Sequence, residues 1–216
     1  MRLLCPLIAF AVLLLSPVAA SAADRNLTIG DRGAAVAEVR SQLASLGFLP
    51  RGGGDQYDQA AFHAVMAFQK VRGLARDGIA GPITRNALER DARVGRRPVP
   101  ARAGSGRRIE VDLSQQVAKL IGGRRVKRTI AISSGAPGYS TPTGSYRIFR
   151  KEQRSWSVPY RVWLPWASYF VGGIAFHAYP SVPASPASHG CVRVPEPFAQ
   201  ELYEFARMGV RVDVIA

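Results

Sequence analysis

Cysteine is almost absent from this chain of 216 residues, which carries only Cys5 and Cys191. Cys5 lies in an apolar segment at the start, so Cys191 would be the sole thiol once that segment is removed. A single cysteine excludes an internal disulfide, so Cys191 is buried and inert, paired between chains, or reactive. It follows Ser188-His189-Gly190 and precedes Val192-Arg193, and neighbouring histidine and arginine favour a reactive thiolate.

Long apolar segments are also absent beyond the first residues. Residues 3–15 are almost wholly apolar, follow a short positive start, and precede small residues at Ala20-Ser21-Ala22, where a signal peptidase could cleave. A bilayer-spanning helix needs roughly 20 apolar residues. Residues 1–22 are therefore predicted to be a signal peptide, and the mature protein to be periplasmic or cell-wall-associated without a stable membrane span.

Acidic residues are scarce, because 29 Lys and Arg stand against 15 Asp and Glu and give a net charge of +14. Such a charge favours polyanionic partners. No recognition-helix, zinc-finger or RNA-binding signature is present, so no nucleic acid partner is expected. Anionic polymers of the cell envelope suit an exported protein better, although an arginine-rich genome would explain the same composition.

Residues 27–90, the helical module below, are predicted to form three helices. The apolar positions of the first recur at spacings of three and four: Val36, Val39, Leu43 and Leu46. Gly47 is predicted to end this helix, Asp58 to cap the second, and Pro82 to open the third. His63 has no neighbours for a metal site or a proton relay, so it is predicted to be a surface or packing residue.

Residues 91–107 lack a periodic apolar face and are rich in Pro, Gly and Arg, which predicts a semi-extended linker. Residues 108–216, the catalytic module below, are predicted to form strands and a single helix over 197–207. The strands are expected at 109–113, 117–121, 126–132, 146–149, 160–164, 170–177 and 210–215. The predicted fold class is therefore multidomain α+β: a small three-helix bundle followed by a mainly β domain with one packed helix.

The residues around Cys191 suggest nucleophilic catalysis. Residues two apart on an extended chain face the same way, so His189, Cys191 and Arg193 are expected to line one wall. His177 comes from a different strand. An imidazole that takes the thiol proton creates a strong nucleophile, and either histidine could be this base. His177 could also hold its other ring nitrogen against a backbone carbonyl, which would fix its tautomer.

The remaining candidates would stabilise or hold a substrate. Gly190 leaves room for a carbonyl to approach, and the amides of Gly190 and Cys191 could bind the developing oxyanion. Arg193 could hold a carboxylate through two hydrogen bonds. Ser188, and Tyr160 as a hydrogen-bond donor, complete the predicted substrate-binding set.

Two other chemistries have candidate residues in this chain. His177, His189 and Cys191 could hold one zinc ion with an open position for water, although no nearby carboxylate would serve as general base. Paired carboxylates for glycan cleavage are not supported, because Glu110 and Asp112 lie far from the cysteine in sequence. The sequence therefore predicts no cofactor and no metal.

The helical module contains four short motifs: Gly30-Asp31-Arg32-Gly33, Leu46-Gly47-Phe48, Phe68-Gln69 and Asp77-Gly78-Ile79-Ala80-Gly81-Pro82. In these residues the module resembles the peptidoglycan-binding domain of the small three-helix type. The resemblance implies anchoring to cell-wall glycan or peptide, or a docking surface.

A second group of motifs lies in the catalytic module: Thr141-Pro142-Thr143-Gly144, Gly173-Ile174-Ala175-Phe176-His177 and Ser188-His189-Gly190-Cys191-Val192-Arg193. Here the chain resembles the YkuD-type catalytic domain of L,D-transpeptidases over about residues 108–216. The resemblance implies a mostly β fold, a cysteine acyl-enzyme and peptidoglycan stem peptides as substrate. By position, Cys191 is then the nucleophile and His177 the base, while His189 and Gly190 line the oxyanion side.

The expected function is a cysteine acyltransferase that forms L,D cross-links or exchanges the terminal D-residue of a stem peptide through a Cys191 acyl-enzyme. If water is the acceptor, the same residues make an L,D-carboxypeptidase or a cross-link hydrolase. A zinc peptidase using His177, His189 and Cys191 on the same polymer is the alternative from a different class. A wall-binding scaffold with an inactive site is the non-enzymatic one.

Overall fold

The computed structural model describes residues 25–216, so the predicted signal peptide (1–22) lies outside the described residues. Within that part the chain forms four helices and nine strands. None of the helices in residues 25–216 has the length and apolar character needed to cross a bilayer.

The three predicted helices of the helical module are confirmed as α1 (Ala34–Leu46), α2 (Gln59–Arg72) and α3 (Pro82–Arg93). Gly47 ends α1 in the left-handed region at φ 89°, which glycine adopts without a steric cost. The Asp58 carboxylate accepts the Ala61 amide at 2.8 Å and caps α2.

His63 is a packing residue within α2, as predicted. It is buried and meets the Phe62 ring edge-on at 5.1 Å. Burial, together with the charge of Lys70, lowers the pKa of His63 to about 4.

The catalytic module contains two sheets and one helix. The strands run in the order β1 (Arg107–Asp112), β2 (Val117–Gly122), β3 (Arg125–Ala131), β4 (Gly144–Arg147), β5 (Arg150–Ser157), β6 (Val162–Val171), β7 (Ile174–Ala178), β8 (Val192–Val194) and β9 (Arg211–Ile215), with α4 (Glu196–Phe205) before the last strand. One sheet has the order β3-β2-β1-β9-β4 and the other β5-β6-β7-β8. The pairs β1–β9 and β7–β8 are parallel, and the remaining pairs are antiparallel.

Several details of the predicted strands are wrong. Val192–Val194 forms β8 where no strand was expected, and β6 continues through residues 165–169, between two predicted strands. β5 was not predicted, because its sequence Arg-Lys-Glu-Gln-Arg-Ser-Trp-Ser is mostly polar and lacks apolar alternation. The range 170–177 is not one strand, because it holds the end of β6, a turn in which Gly172 adopts φ 50°, and β7. β5 and β6 form a hairpin whose turn contains Tyr160.

The two modules share a continuous core. Buried side chains of α1, α2 and α3 join those of the sheets and of α4 in one apolar cluster. α2 packs against β2 and β3, and α4 packs against β6 and β7. Burial of apolar area on this scale is the main stabilising contribution in a chain of this length.

The segment between the modules is held in place by a buried carboxylate. α3 continues to Arg93, inside the range predicted to be a linker. Glu110 of β1 is fully buried, and its carboxylate accepts the amides of Ala101 and Arg102 and the Lys119 ammonium at 3.1 Å. The segment around residue 101 is therefore fixed against the face of the sheet at β1, which is an interior strand.

Replacing Glu110 by alanine is expected to destabilise the protein by about 2–4 kcal/mol, because buried Lys119 keeps only the more distant Asp112 carboxylate at 3.8 Å and two amides lose their acceptor. Urea unfolding followed by tryptophan fluorescence measures this change. The control is Glu89→Ala, which removes an exposed pair with Arg93 and should cost less than about 0.5 kcal/mol. Equal effects of the two substitutions would contradict the role assigned to Glu110.

Candidate active site

The parallel pairing of β7 with β8 places the predicted site residues side by side. His177 is in register with Arg193, and Phe176 with Val192. Ser133 and Arg193 exchange two backbone hydrogen bonds, of 3.1 and 2.9 Å, on the other side of β8. Residues 187–191, the nucleophile loop below, enter β8 directly, so Cys191 lies beside β7.

Short polar contacts fix the shape of the nucleophile loop. The Ser188 hydroxyl donates to the Cys191 carbonyl and accepts the Gly190 amide at 3.1 Å. The Thr141 hydroxyl donates to the Gly190 carbonyl at 2.7 Å and accepts the Gly135 amide at 3.0 Å. Gly190 has φ 107°, a conformation that residues with a side chain rarely adopt, so glycine is required here by the backbone.

The predicted site residues converge on one cavity of about 630 Å³. Six of them line it: Tyr160, His177, Ser188, His189, Cys191 and Arg193. Gly190, the seventh, is buried in the loop beneath. The β5–β6 hairpin supplies much of the remaining wall, through Trp156 and Ser157 of β5, the turn residues 158–160, and Val162 and Leu164 of β6.

His177 is only 4% exposed, and its Nδ1 lies 2.8 Å from the Ala178 carbonyl. A carbonyl can only accept, so Nδ1 carries the proton and Nε2 is left as an acceptor. This is the backbone contact expected from the sequence. Burial lowers the pKa of His177 to about 4; the Ala178 carbonyl opposes this shift and the Arg193 charge adds to it. The imidazole is therefore neutral at neutral pH.

Cys191 is a free thiol of intermediate exposure, with Sγ 3.8 Å from the Gly173 carbonyl. Burial raises its pKa, while a hydrogen bond from the backbone of Ala175 and the positive charge of Arg193 act in the opposite direction. Burial is the largest of the three influences, so the resting thiol is protonated at neutral pH.

Aromatic rings hold the other two polar side chains of the cavity. His189 is stacked against Tyr160 at 4.7 Å and 29°, and Tyr139 meets it edge-on at 4.6 Å. The Arg193 guanidinium lies 4.1 Å from the centre of the Tyr179 ring. Sequence reasoning missed Tyr139, which lies in a turn cluster without any periodic signal. Tyr160, predicted as a hydrogen-bond donor, contacts His189 through its ring.

The alternative zinc site is wrong. Among residues 25–216, no group of three His, Cys, Asp or Glu side chains is arranged to hold a metal ion. His177 directs Nδ1 to a backbone carbonyl, and His189 is held between two tyrosine rings. The three side chains therefore line the same cavity without converging on one point.

Known proteins resemble this chain in both modules. Residues 106–214 match the family model of the YkuD L,D-transpeptidase catalytic domain, and residues 32–88 match a peptidoglycan binding domain. The crystal structure of an L,D-transpeptidase from Xylanimonas cellulosilytica is 33% identical, with a TM-score of 0.80 over 88% of this chain and 98% of that one. An L,D-transpeptidase from Stackebrandtia nassauensis is 29% identical, with a TM-score of 0.53 over 88% and 95%.

A curated protein of Mycobacterium tuberculosis, the N-acetylmuramoyl-L-alanine amidase CwlM, is 41% identical over 73 residues. The match spans 29% of this chain but only 18% of the amidase. The L,D-transpeptidase matches are far more extensive, since the catalytic family model covers half of the chain and the first structure aligns over almost its whole length. This chain belongs to the YkuD family of L,D-transpeptidases and carries an N-terminal peptidoglycan-binding domain.

Proposed function

We propose that this protein is a cysteine acyltransferase that acts on peptidoglycan stem peptides, forming L,D cross-links or exchanging the terminal D-residue. The observation that carries the proposal is the joint position of Cys191 and His177 on one cavity, with Nε2 of His177 free to accept a proton. A neutral imidazole beside a protonated thiol is suited to general-base activation of the nucleophile.

The first step is acylation of Cys191. Its Sγ attacks the carbonyl of the L-configured centre that precedes the terminal D-residue, while the thiol proton passes to Nε2 of His177. The C–S bond forms and the carbonyl becomes an oxyanion. The C–N bond then breaks, the leaving amine takes the proton from His177, and a thioester remains.

The second step transfers the acyl group. An amine from a neighbouring stem peptide, or a free D-amino acid, attacks the thioester carbonyl and gives its proton to His177. The C–N bond forms, the C–S bond breaks, and the sulfur of Cys191 regains the proton. The product is a cross-link or an exchanged terminal residue, and the enzyme returns to its resting state.

We assign the Cys191 amide as the hydrogen-bond donor to the developing oxyanion. The Gly190 amide already donates to the Ser188 hydroxyl at 3.1 Å, so its role is to hold the loop. His189 lies on the same wall and is held by Tyr139 and Tyr160. We assign Arg193 to a substrate carboxylate, which a guanidinium can bind through two hydrogen bonds.

The helical module and the overall charge fit an enzyme of the cell wall. A peptidoglycan-binding domain beside an L,D-transpeptidase domain brings the enzyme to its polymeric substrate. The net charge of +14 favours contact with anionic envelope polymers. The predicted signal peptide at 1–22 would export the protein to the periplasm or cell wall.

The charge states of the resting site lead to a prediction on thiol reactivity. The rate of Cys191 alkylation by iodoacetamide should rise with pH in one step, with an apparent pKa above the ~8.5 of an ordinary thiol. His177, with a pKa of about 4, should add no step between pH 5 and 8. Mass spectrometry of the Cys191 peptide measures the rate.

Arg193 offers a matched pair of controls for this profile. Arg193→Gln should raise the apparent pKa of Cys191 further, because the Arg193 charge favours the thiolate. Arg193→Lys keeps the charge and should stay closer to the unchanged protein. Alkylation that is already maximal at pH 6 would show an ionised resting thiol and would contradict the neutral pair.

The acyl-enzyme itself is tested by incubating the protein with a disaccharide tetrapeptide or with a carbapenem. Intact-mass and peptide mass spectrometry should find an adduct on Cys191 that persists in the presence of a zinc chelator and is absent from Cys191→Ala. His177→Ala should form the adduct ~10²–10⁴ times more slowly, which is the usual contribution of a general base.

The products of the same incubation identify the acyl acceptor. Dimers, or tetrapeptides with an exchanged terminal residue, are expected. Tripeptides alone would indicate transfer to water and hence a carboxypeptidase. If the zinc chelator abolishes the stem-peptide reaction and no adduct is found on Cys191, the cysteine mechanism is contradicted.

A further inference from the structure

Lys70 is a charged residue in the interior of the protein that the acyl-transfer chemistry does not use. It lies in the last turn of α2, where a basic residue usually extends into solvent, yet it is only 2% exposed. Its Nζ donates to the carbonyls of Gln116 and Ile132, at 3.1 and 2.9 Å. Both acceptors belong to the catalytic module, so Lys70 reaches across from the helical module.

No carboxylate balances this buried ammonium among the ion pairs of the described residues. The charged neighbour that acts on Lys70 is Arg76, which follows α2. The charge of Lys70 in turn lowers the pKa of His63 in α2. Burial and the Arg76 charge lower the pKa of Lys70 to about 7. Burying a lysine without a counter-ion costs free energy of folding. The position of Lys70 therefore points to a role other than stability.

The first acceptor, Gln116, lies in the turn between β1 and β2 with φ 57°. Its backbone carbonyl also accepts the Ile132 amide at 3.0 Å. Its side-chain amide donates to the Ser134 hydroxyl at 2.8 Å, and its side-chain oxygen accepts the Ser134 amide at 2.9 Å. Lys70 therefore joins the β1–β2 turn to the residues that follow β3.

Ser134 in turn carries the nucleophile loop. Its carbonyl accepts the amides of Ala187 and Ser188, both at 3.0 Å. Ser188 holds the Cys191 carbonyl and the Gly190 amide through its hydroxyl. A continuous series of hydrogen bonds between buried groups thus runs from Lys70 through Gln116, Ser134 and Ser188 to the backbone of Cys191.

We propose that Lys70 is a positioning residue for Cys191, through which the helical module holds the nucleophile loop in its reactive shape. The activity part of this proposal rests on the acyltransferase function proposed above. Loss of the Lys70 donors would release the β1–β2 turn and the Ser134 segment and would displace the thiol relative to His177. Small displacements of a reacting group slow the chemical step much more than substrate binding.

The test uses Lys70→Met, which keeps the length and the apolar stem and removes the donors. We expect kcat for stem-peptide transfer to fall about 10-fold to 100-fold, with KM unchanged within about twofold. Cys191 alkylation at a fixed pH of about 8 should slow about threefold, because the Ala175 hydrogen bond and Arg193 charge that favour the thiolate depend on the position of the loop.

The matched control is Arg97→Met. Arg97 also links the inter-module segment to β3, through the Val126 and Lys127 carbonyls, but at the strand end away from Ile132. Its loss should change the melting temperature without changing kcat or the alkylation rate. A double-mutant cycle tests the route itself: Lys70→Met and Gln116→Ala combined should reduce kcat no more than the stronger single change.

Three outcomes would overturn the proposal. Lys70→Met could lower the melting temperature while kcat and the alkylation rate stay within about twofold. The double variant could show the product of the two single effects. If Lys70→Met does not fold, Gln116→Ala decides alone, and normal kcat and alkylation in that variant would refute the route. If the unchanged protein transfers no acyl group, the alkylation rates still test the positioning role separately from the proposed function.

Discussion

The parallel pairing of β7 with the three-residue strand β8 is the constraint on which the site depends. Parallel neighbours need a crossover between them, and here the crossover contains the nucleophile loop. The pairing sets His177 beside Arg193 and leaves Cys191 just before the strand begins. The ring orientation of His177, the conformation of Gly190 and the hydrogen bonds of Ser188 all operate within this frame. The chemistry is therefore built on a very short strand that is held by bonds from both sides.

Burial favours the uncharged form of both groups that we propose to react, the Cys191 thiol and the His177 imidazole. It raises the pKa of the Cys191 thiol and lowers that of the His177 imidazole, so both resting groups are uncharged. Enzymes with an ion-paired cysteine keep a nucleophile that is reactive at all times. In the proposed mechanism, an uncharged pair keeps the thiol less reactive until a substrate carbonyl and its oxyanion contacts are in place.

Local signals predicted much of this molecule. Gly47, Asp58 and Pro82 defined the helix ends, and the Ser188–Arg193 motif with His177 identified residues that share one cavity. The failures are long-range in origin. β5 is a strand because of its pairing with β6, not because of its own polar sequence. Lys70 would be predicted to extend from the end of α2, and only the packing of α2 on β2 and β3 buries it. Tyr139 is distant from His189 in sequence, and the two rings meet only in the folded chain.

The attachment of residues 101 and 102 to Glu110 bears on how such an enzyme works on a polymer. A freely jointed tether would let a wall-anchored catalytic unit sample stems over a wide range of distances. Here the spacer lies against the sheet, and α2 packs on the same domain. If the helical module binds the glycan, the fold fixes the distance between the bound glycan and the Cys191 sulfur. Each anchored molecule could then reach stem peptides at only one distance from its anchor.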